Sequence, residues 1–162
     1  MPAYPLHIMR THEPMEMILS ESCCGKTSLC KASGKYMDFD IFSKAHGFSV
    51  PLVRAVIKAY LPCCDESKTY LFNATSFFEY GLDGIDGIRV SRIILPDMTA
   101  ESIRFRRSVF EKRDIANYGF VRSKQLRLLA VRYGKAHEFA ARHFPKITVE
   151  TIRENQFIKD II

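Results

Sequence analysis

No run of apolar residues in this 162-residue chain is long enough to span a bilayer, and its first residues contain no hydrophobic signal segment. Those two absences predict a cytoplasmic protein with no membrane partner. Five cysteines occur, at Cys23, Cys24, Cys30, Cys63 and Cys64, yet none forms a C-x-x-C pair, and an odd count with two adjacent pairs is no disulfide framework. A zinc site would need an unusual ligand set, so free thiols in a reducing compartment are expected. An acidic excess is missing as well. The 24 Lys and Arg against 18 Asp and Glu leave a formal charge of +6, which favours anionic partners such as nucleotides or nucleic acid. That balance bears on association and not on fold. What is present, 47% hydrophobic and 12% aromatic residues, is the composition of a folded domain with a core.

Residues 1–14 hold three prolines and two histidines, His7 and His12, without a clear period. They read as an N-terminal arm or an added edge strand at 6–9, followed by one domain over 15–162. Within that domain apolar runs of strand length alternate with helical patterns. Strands are predicted at 15–19, 35–40, 69–73, 88–95 and 146–149. Helices are predicted at 26–32, from Ser49 as N-cap to Tyr60, at 76–80, from Thr99 as N-cap to about Arg113, and from Ser123 to about Phe144. The second of these would bury Leu52, Val53, Val56, Ile57 and Tyr60, and the last Leu126, Leu129, Ala130, Tyr133, His137 and Ala140. Residues 156–162 form an apolar segment expected to dock or pair. Glycines 81, 84 and 87 recur once every three residues, which is a loop and not a repeat. Strands alternating with helices predict an α/β fold with a mostly parallel sheet covered on both faces. Ligands of such sheets bind at the carboxyl ends of the strands, which sets the loop after the first strand, Asp38, Asp40, Asn73 and Asp97 on one rim.

The chemistry concentrates in Ser20-Glu21-Ser22-Cys23-Cys24-Gly25-Lys26-Thr27-Ser28. A buried strand, a tight loop and a helix opening on Gly-Lys-Thr match the phosphate-binding P-loop, G-x-x-x-x-G-K-[ST], with Ser20 in place of the first glycine. The loop amides and the helix N-terminus form an anion site, Lys26 adds a point charge, and the Thr27 hydroxyl suits Mg²⁺. A lysine and a helix N-terminus beside Cys23 and Cys24 predict lowered thiol pKa values and sensitivity to oxidation. Phosphoryl transfer also needs an orienting acid and positive charge on the transferring oxygens. Asp38 and Asp40 share one face of an extended chain, where one would accept a hydroxyl proton and the other hold Mg²⁺, with Asp38 preferred. Two arginine rows are available downstream: Arg104 with Arg107, and Arg106 with Arg113.

Gly25-Lys26-Thr27-Ser28-Leu29, Tyr36-Met37-Asp38-Phe39-Asp40, Ile93-Ile94-Leu95-Pro96 and the arginine-rich helix together resemble the small P-loop nucleoside and nucleotide kinases. The likeness is greatest to the compact kinase-like P-loop proteins of bacteriophages, whose fourth strand ends in Leu-Pro before an arginine-bearing helix. It runs over roughly residues 15–115. It implies a three-layer P-loop NTPase-like fold, ATP or another NTP with Mg²⁺, and a small-molecule hydroxyl acceptor. The phosphate cradle would lie on 20–27, extended to Ser28 at the helix start. The acceptor or metal acid would be Asp38 or Asp40, and the lid charges Arg104, Arg107 and Arg113. Asn73 stands where such proteins often have a carboxylate for the metal. A polynucleotide-binding or polynucleotide kinase-type protein is the alternative, through Lys124, Arg127, Lys135 and Arg142 as well as the arginine helix. A non-catalytic nucleotide-binding interaction protein is the third reading. The acceptor and the oligomeric state are not legible.

Overall fold

Leu19 explains the frame best. It is wholly buried, as are Met17 before it and Ser20 after it, and a strand buried on both faces must lie inside a covered sheet. The computed structural model describes residues 13–39, 42 and 47–162. In chain order its elements are β1 (Met15–Ser20), α1 (Lys26–Ala32), β2 (Tyr36–Asp38), α2 (Val50–Tyr60), β3 (Thr69–Asn73), α3 (Ala74–Glu79), β4 (Ile88–Pro96), α4 (Ala100–Tyr118), α5 (Ser123–His143) and β5 (Val149–Ile152). The five strands form one sheet in the order β2-β3-β1-β4-β5. Every pairing is parallel, with Ser20 opposite Asn73, Asp38 opposite Leu71 and Pro96 opposite Ile152.

Alternation along the strands sorts the core into two layers. Met17, Leu19, Tyr70, Phe72, Ile93 and Leu95 point to one face and meet Val53 and Ile57 of α2, Phe77 of α3, and Ala136 and Ala140 of α5. Ile18, Leu71, Ile94 and Ile152 point to the other and meet Leu29 of α1 and Ile158. Each such side chain contributes about 1.5–3 kcal/mol by leaving water, so a one-residue slip of β1 would exchange the layers and is strongly opposed. A third cluster joins α4 to α5 above the sheet's carboxyl edge, through Phe110, Leu129, Tyr133 and Cys23.

Ser49 and Thr99 cap α2 and α4 as predicted, accepting from the backbone N–H of Leu52 and Ser102. Four expectations need correction. Helix α4 continues to Tyr118 and stops at Gly119, whose φ of 77° ends it in the left-handed region. The last strand begins at Val149, because the chain after α5 is still turning, with the Ile147 N–H donating to the Phe144 carbonyl. Leu52 and Val56 of α2 are exposed, so that helix buries a narrower stripe. In α5 the buried stripe is Leu129, Tyr133, Ala136 and Ala140, with Leu126, Ala130 and His137 only half-buried. Residues 156–162 do dock, as a short 3-10 turn at Ile158–Asp160 with Ile158 fully buried. Residues 1–12, with His7, His12 and the expected edge strand, and Asp40 lie outside the described residues.

Candidate functional site

The connection after β1 runs toward β2, and the connection after β4 runs toward β5. The two diverge, and that divergence opens a crevice at the carboxyl ends of β1 and β4, the place where ligands enter open α/β sheets. The loop 21–25 fills it, and α1 starts at Lys26 directly from Gly25.

Two residues of this loop have left-handed backbone, Cys23 with φ 67° and Gly25 with φ 92°. Cysteine in that region is strained by roughly 1 kcal/mol or more, so the surroundings must hold it there. They do so through the carbonyls. Lys26 Nζ donates to the Glu21 carbonyl at 2.8 Å, Tyr133 Oη of α5 to that of Ser22 at 2.7 Å, and Arg106 Nη1 of α4 to that of Cys23 at 2.9 Å. The Ile158 N–H donates to the Cys24 carbonyl at 2.9 Å. Four consecutive carbonyls are thus engaged by four separate donors. With its carbonyls taken, the loop presents the polarity of its amide N–H groups, and the left-handed turns curl them into a concave nest of the kind that binds anions. The cleft above it measures about 320 Å³ and is lined by Ser22, Cys23, Gly25, Lys26, Thr27 and Ser28 from the loop, Val109 and Arg113 from α4, and Phe157.

Two cations are buried at the site. Lys26 is 5% exposed and Arg106 is fully buried. Among the described residues the guanidinium of Arg106 donates to the carbonyls of Cys23, Arg153 and Gln156. The buried carboxylate nearby, Glu21, accepts from the Thr75 N–H at 2.8 Å and its hydroxyl at 3.0 Å. Burial nevertheless pushes Glu21 up to about 7, against hydrogen bonds from Thr75 and the charge of Lys26 that pull it down.

No family model matches the chain, and no curated protein is similar to it.

The remaining expected residues divide into those at the site and those elsewhere. The Thr27 hydroxyl donates to Asp38 Oδ2 at 3.2 Å, which unites the two expected metal ligands at the ends of β1's loop and β2. Among the described residues no group of three or more His, Cys, Asp or Glu side chains is placed to hold a metal. One hydroxyl and one carboxylate fit Mg²⁺, which takes one or two carboxylates and completes its shell with phosphate and water oxygens. Asn73 Oδ1 accepts from the Ser76 N–H and caps α3, so this position is committed to the helix. Ser20 is the last residue of β1, fully buried opposite Asn73, and the strand accommodates its Cβ.

Of the two arginine rows, Arg106 and Arg113 face the loop. Arg104 is exposed away from the cleft residues, and Arg107 lines a separate groove with Glu111, Leu126 and Arg127. The structure does not bring these two to the loop. The expectation for the thiols is reversed: burial pushes Cys23 up to about 11 and raises Cys24 too, outweighing the nearby cations. Phe157 was legible only as part of an apolar tail, because its neighbours Gly25, Phe105 and Arg106 are all distant in sequence. The sequence offered both rows, and the lid charges were expected on Arg104, Arg107 and Arg113, without Arg106.

Proposed function

We propose that the chain is a P-loop phosphotransferase that binds ATP or another NTP with Mg²⁺ and passes a phosphoryl group to a nucleoside, nucleotide or related hydroxyl acceptor. The observation that carries this reading is the engagement of the carbonyls of Glu21, Ser22, Cys23 and Cys24, which leaves a loop of amide polarity beside buried Lys26 and Arg106. The negative oxygens of an oligophosphate suit amide N–H groups and cations of this kind. Lys26 and Arg113 line the cleft and would hold the phosphates. Thr27 and Asp38 would hold Mg²⁺, which when bound neutralises charge on the phosphate oxygens. Asp38 at the end of β2 would orient the acceptor hydroxyl, with Asp40 two residues on.

Titration calorimetry and thermal unfolding with ATP, with and without Mg²⁺, test the reading. Nucleotide at 100 times its dissociation constant should stabilise the protein by about 2.7 kcal/mol. Lys26→Met should weaken binding by on the order of 100-fold, and Asp38→Asn should remove the Mg²⁺-dependent part and the acceptor-stimulated turnover. Unchanged binding in Lys26→Met would sink the proposal.

One observation favours a second reading, a polynucleotide as acceptor. Residues 100–143 hold eleven Lys and Arg against four Asp and Glu, while the rest of the chain has thirteen against fourteen. The positive charge therefore belongs to α4 and α5, whose connecting corner exposes Tyr118 at 51% and Phe120 at 62%. Basic residues beside exposed rings are the elements of single-strand binding. Affinity for a single-stranded oligonucleotide should then fall steeply between 50 and 200 mM salt; a flat response counts against it.

A further inference from the structure

Arg106 joins three parts of the chain that are distant in sequence. Its Nη1 donates to the Cys23 carbonyl at 2.9 Å, and its Nη2 to the Arg153 carbonyl at 3.0 Å and to that of Gln156. The guanidinium lies over two rings that touch each other, 4.9 Å from the centre of Phe105 and 5.2 Å from that of Phe157. Among the described residues no carboxylate accepts from it, and its Nε is buried without a partner. Burying a guanidinium against neutral acceptors is costly, and removing it from the loop would leave carbonyls of two segments unpaired.

The segment it holds is built for a fixed shape. The Arg153 N–H donates to Gln156 Oε1 at 2.9 Å, and the Gln156 N–H returns to the Arg153 carbonyl at 3.1 Å. Asn155 between them is left-handed with φ 64°. The Phe157 N–H donates to Asp160 Oδ2 at 2.7 Å, which sets the start of the 3-10 turn. From there the Ile158 N–H reaches the Cys24 carbonyl, and the Phe157 ring lies so close to Gly25 that a Cβ there would sit 3.1 Å from Phe157 Cβ. The same ring lines the cleft.

We infer that residues 153–160 are a working part of the phosphate site, with Arg106 the positioning residue that couples this turn to the loop. The inference rests on the anion reading of the loop given above. The turn fixes the Cys24 carbonyl and one wall of the cleft, and Arg106 fixes the Cys23 carbonyl against the turn, so an oligophosphate seated on the loop tightens both. By linkage, whatever ordering of the turn favours the anion must be returned by the anion as ordering of the turn.

Hydrogen exchange of the full chain with and without inorganic triphosphate reads this directly, since triphosphate has no base to contact the turn. Amides of residues 156–160 should exchange about fivefold or more slowly with triphosphate, alongside those of 22–28. Arg106→Lys keeps the charge but cannot hold both segments with one planar fork, so it should bind triphosphate more weakly and lose the slowing in the turn. A purely structural Arg106 would lower stability in both states and leave the ratio with and without anion unchanged. Should Arg106→Lys fail to fold, Phe157→Leu asks the same question from the other side of the contact. Slowing confined to 22–28, or slowing of the turn that persists in the variant, overturns the coupling and spares the anion site. Slowing in neither segment overturns the anion site and the coupling with it.

Discussion

Glu21 is a residue whose environment changes its chemistry. Its carboxyl is pushed up to about 7 by burial from an ordinary value of 4.5. Between those two values the folded chain holds a proton that the unfolded chain has released. The group therefore lowers stability as pH rises through that window, and its unfavourable contribution is complete above about 7. Glu21→Gln should leave stability at pH 5 nearly unchanged and raise it at pH 8, by at most on the order of 3 kcal/mol. Urea midpoints at the two pH values check this; equal shifts at both would show that Glu21 is ionised throughout. The thiols give a second test at this scale. Cys23 and Cys24 are buried with raised pKa values, and Cys30, half-buried, is pushed up to about 11. Cys63 is exposed. Brief alkylation of the native protein at pH 7.5 followed by peptide mass mapping should label Cys63 first, and Cys23 and Cys24 only after unfolding.

Among the elements, the corner between α4 and α5 matters most, because α4 brings both Arg106 and Arg113 to the loop. It turns on one residue. Asp114 is fully buried and accepts from the Arg122 N–H at 2.9 Å, from Nε at 3.0 Å and from Nη2 at 2.9 Å. Burial pushes its carboxyl up, but the hydrogen bonds and charge of Arg122 together outweigh that and hold it below its ordinary 3.8. Its stabilising contribution is complete above that value and is lost as pH falls through the depressed one. Asp114→Ala, which strands the guanidinium of Arg122 between Phe110 and Tyr118, should cost roughly 3 kcal/mol in chemical denaturation. Asp114→Asn should cost less, since an amide oxygen still accepts from the Arg122 backbone. This corner is also where reading the sequence fell short. Glu111 to Tyr118 is polar and carries no apolar period, and Asn117-Tyr118-Gly119 signals a turn, so the helix was expected to end near Arg113. What extends it is the Arg122 pin, a contact no local pattern announces. The caps Ser49 and Thr99 were legible because a cap is local.

For the whole molecule, the parallel sheet between helices was legible from the alternation of strand and helix patterns, and the strand–loop–helix connection from Gly25-Lys26-Thr27 after a buried strand. Asp38 was legible because a strand end in such a sheet lies on the ligand rim, and the structure indeed sets it against Thr27. The grip of Arg106 and of the turn after β5 on the loop was not, because both act on backbone carbonyls, which have no side-chain signature. The sheet order has one more consequence, for the path by which the chain reaches this state. Strand β1 lies between β3 and β4, yet both neighbours come later in the chain, at 69–73 and 88–96. Until they arrive, a segment as apolar as Met-Glu-Met-Ile-Leu has two open edges and nothing local to pair with. Closing those distances costs chain entropy before any hydrogen bond is gained, which makes for slow assembly and an aggregation-prone interval. A ligand that seats the loop after β1 acts too late to shorten that interval, because the loop takes its shape only when α4, α5 and the turn after β5 are already in place.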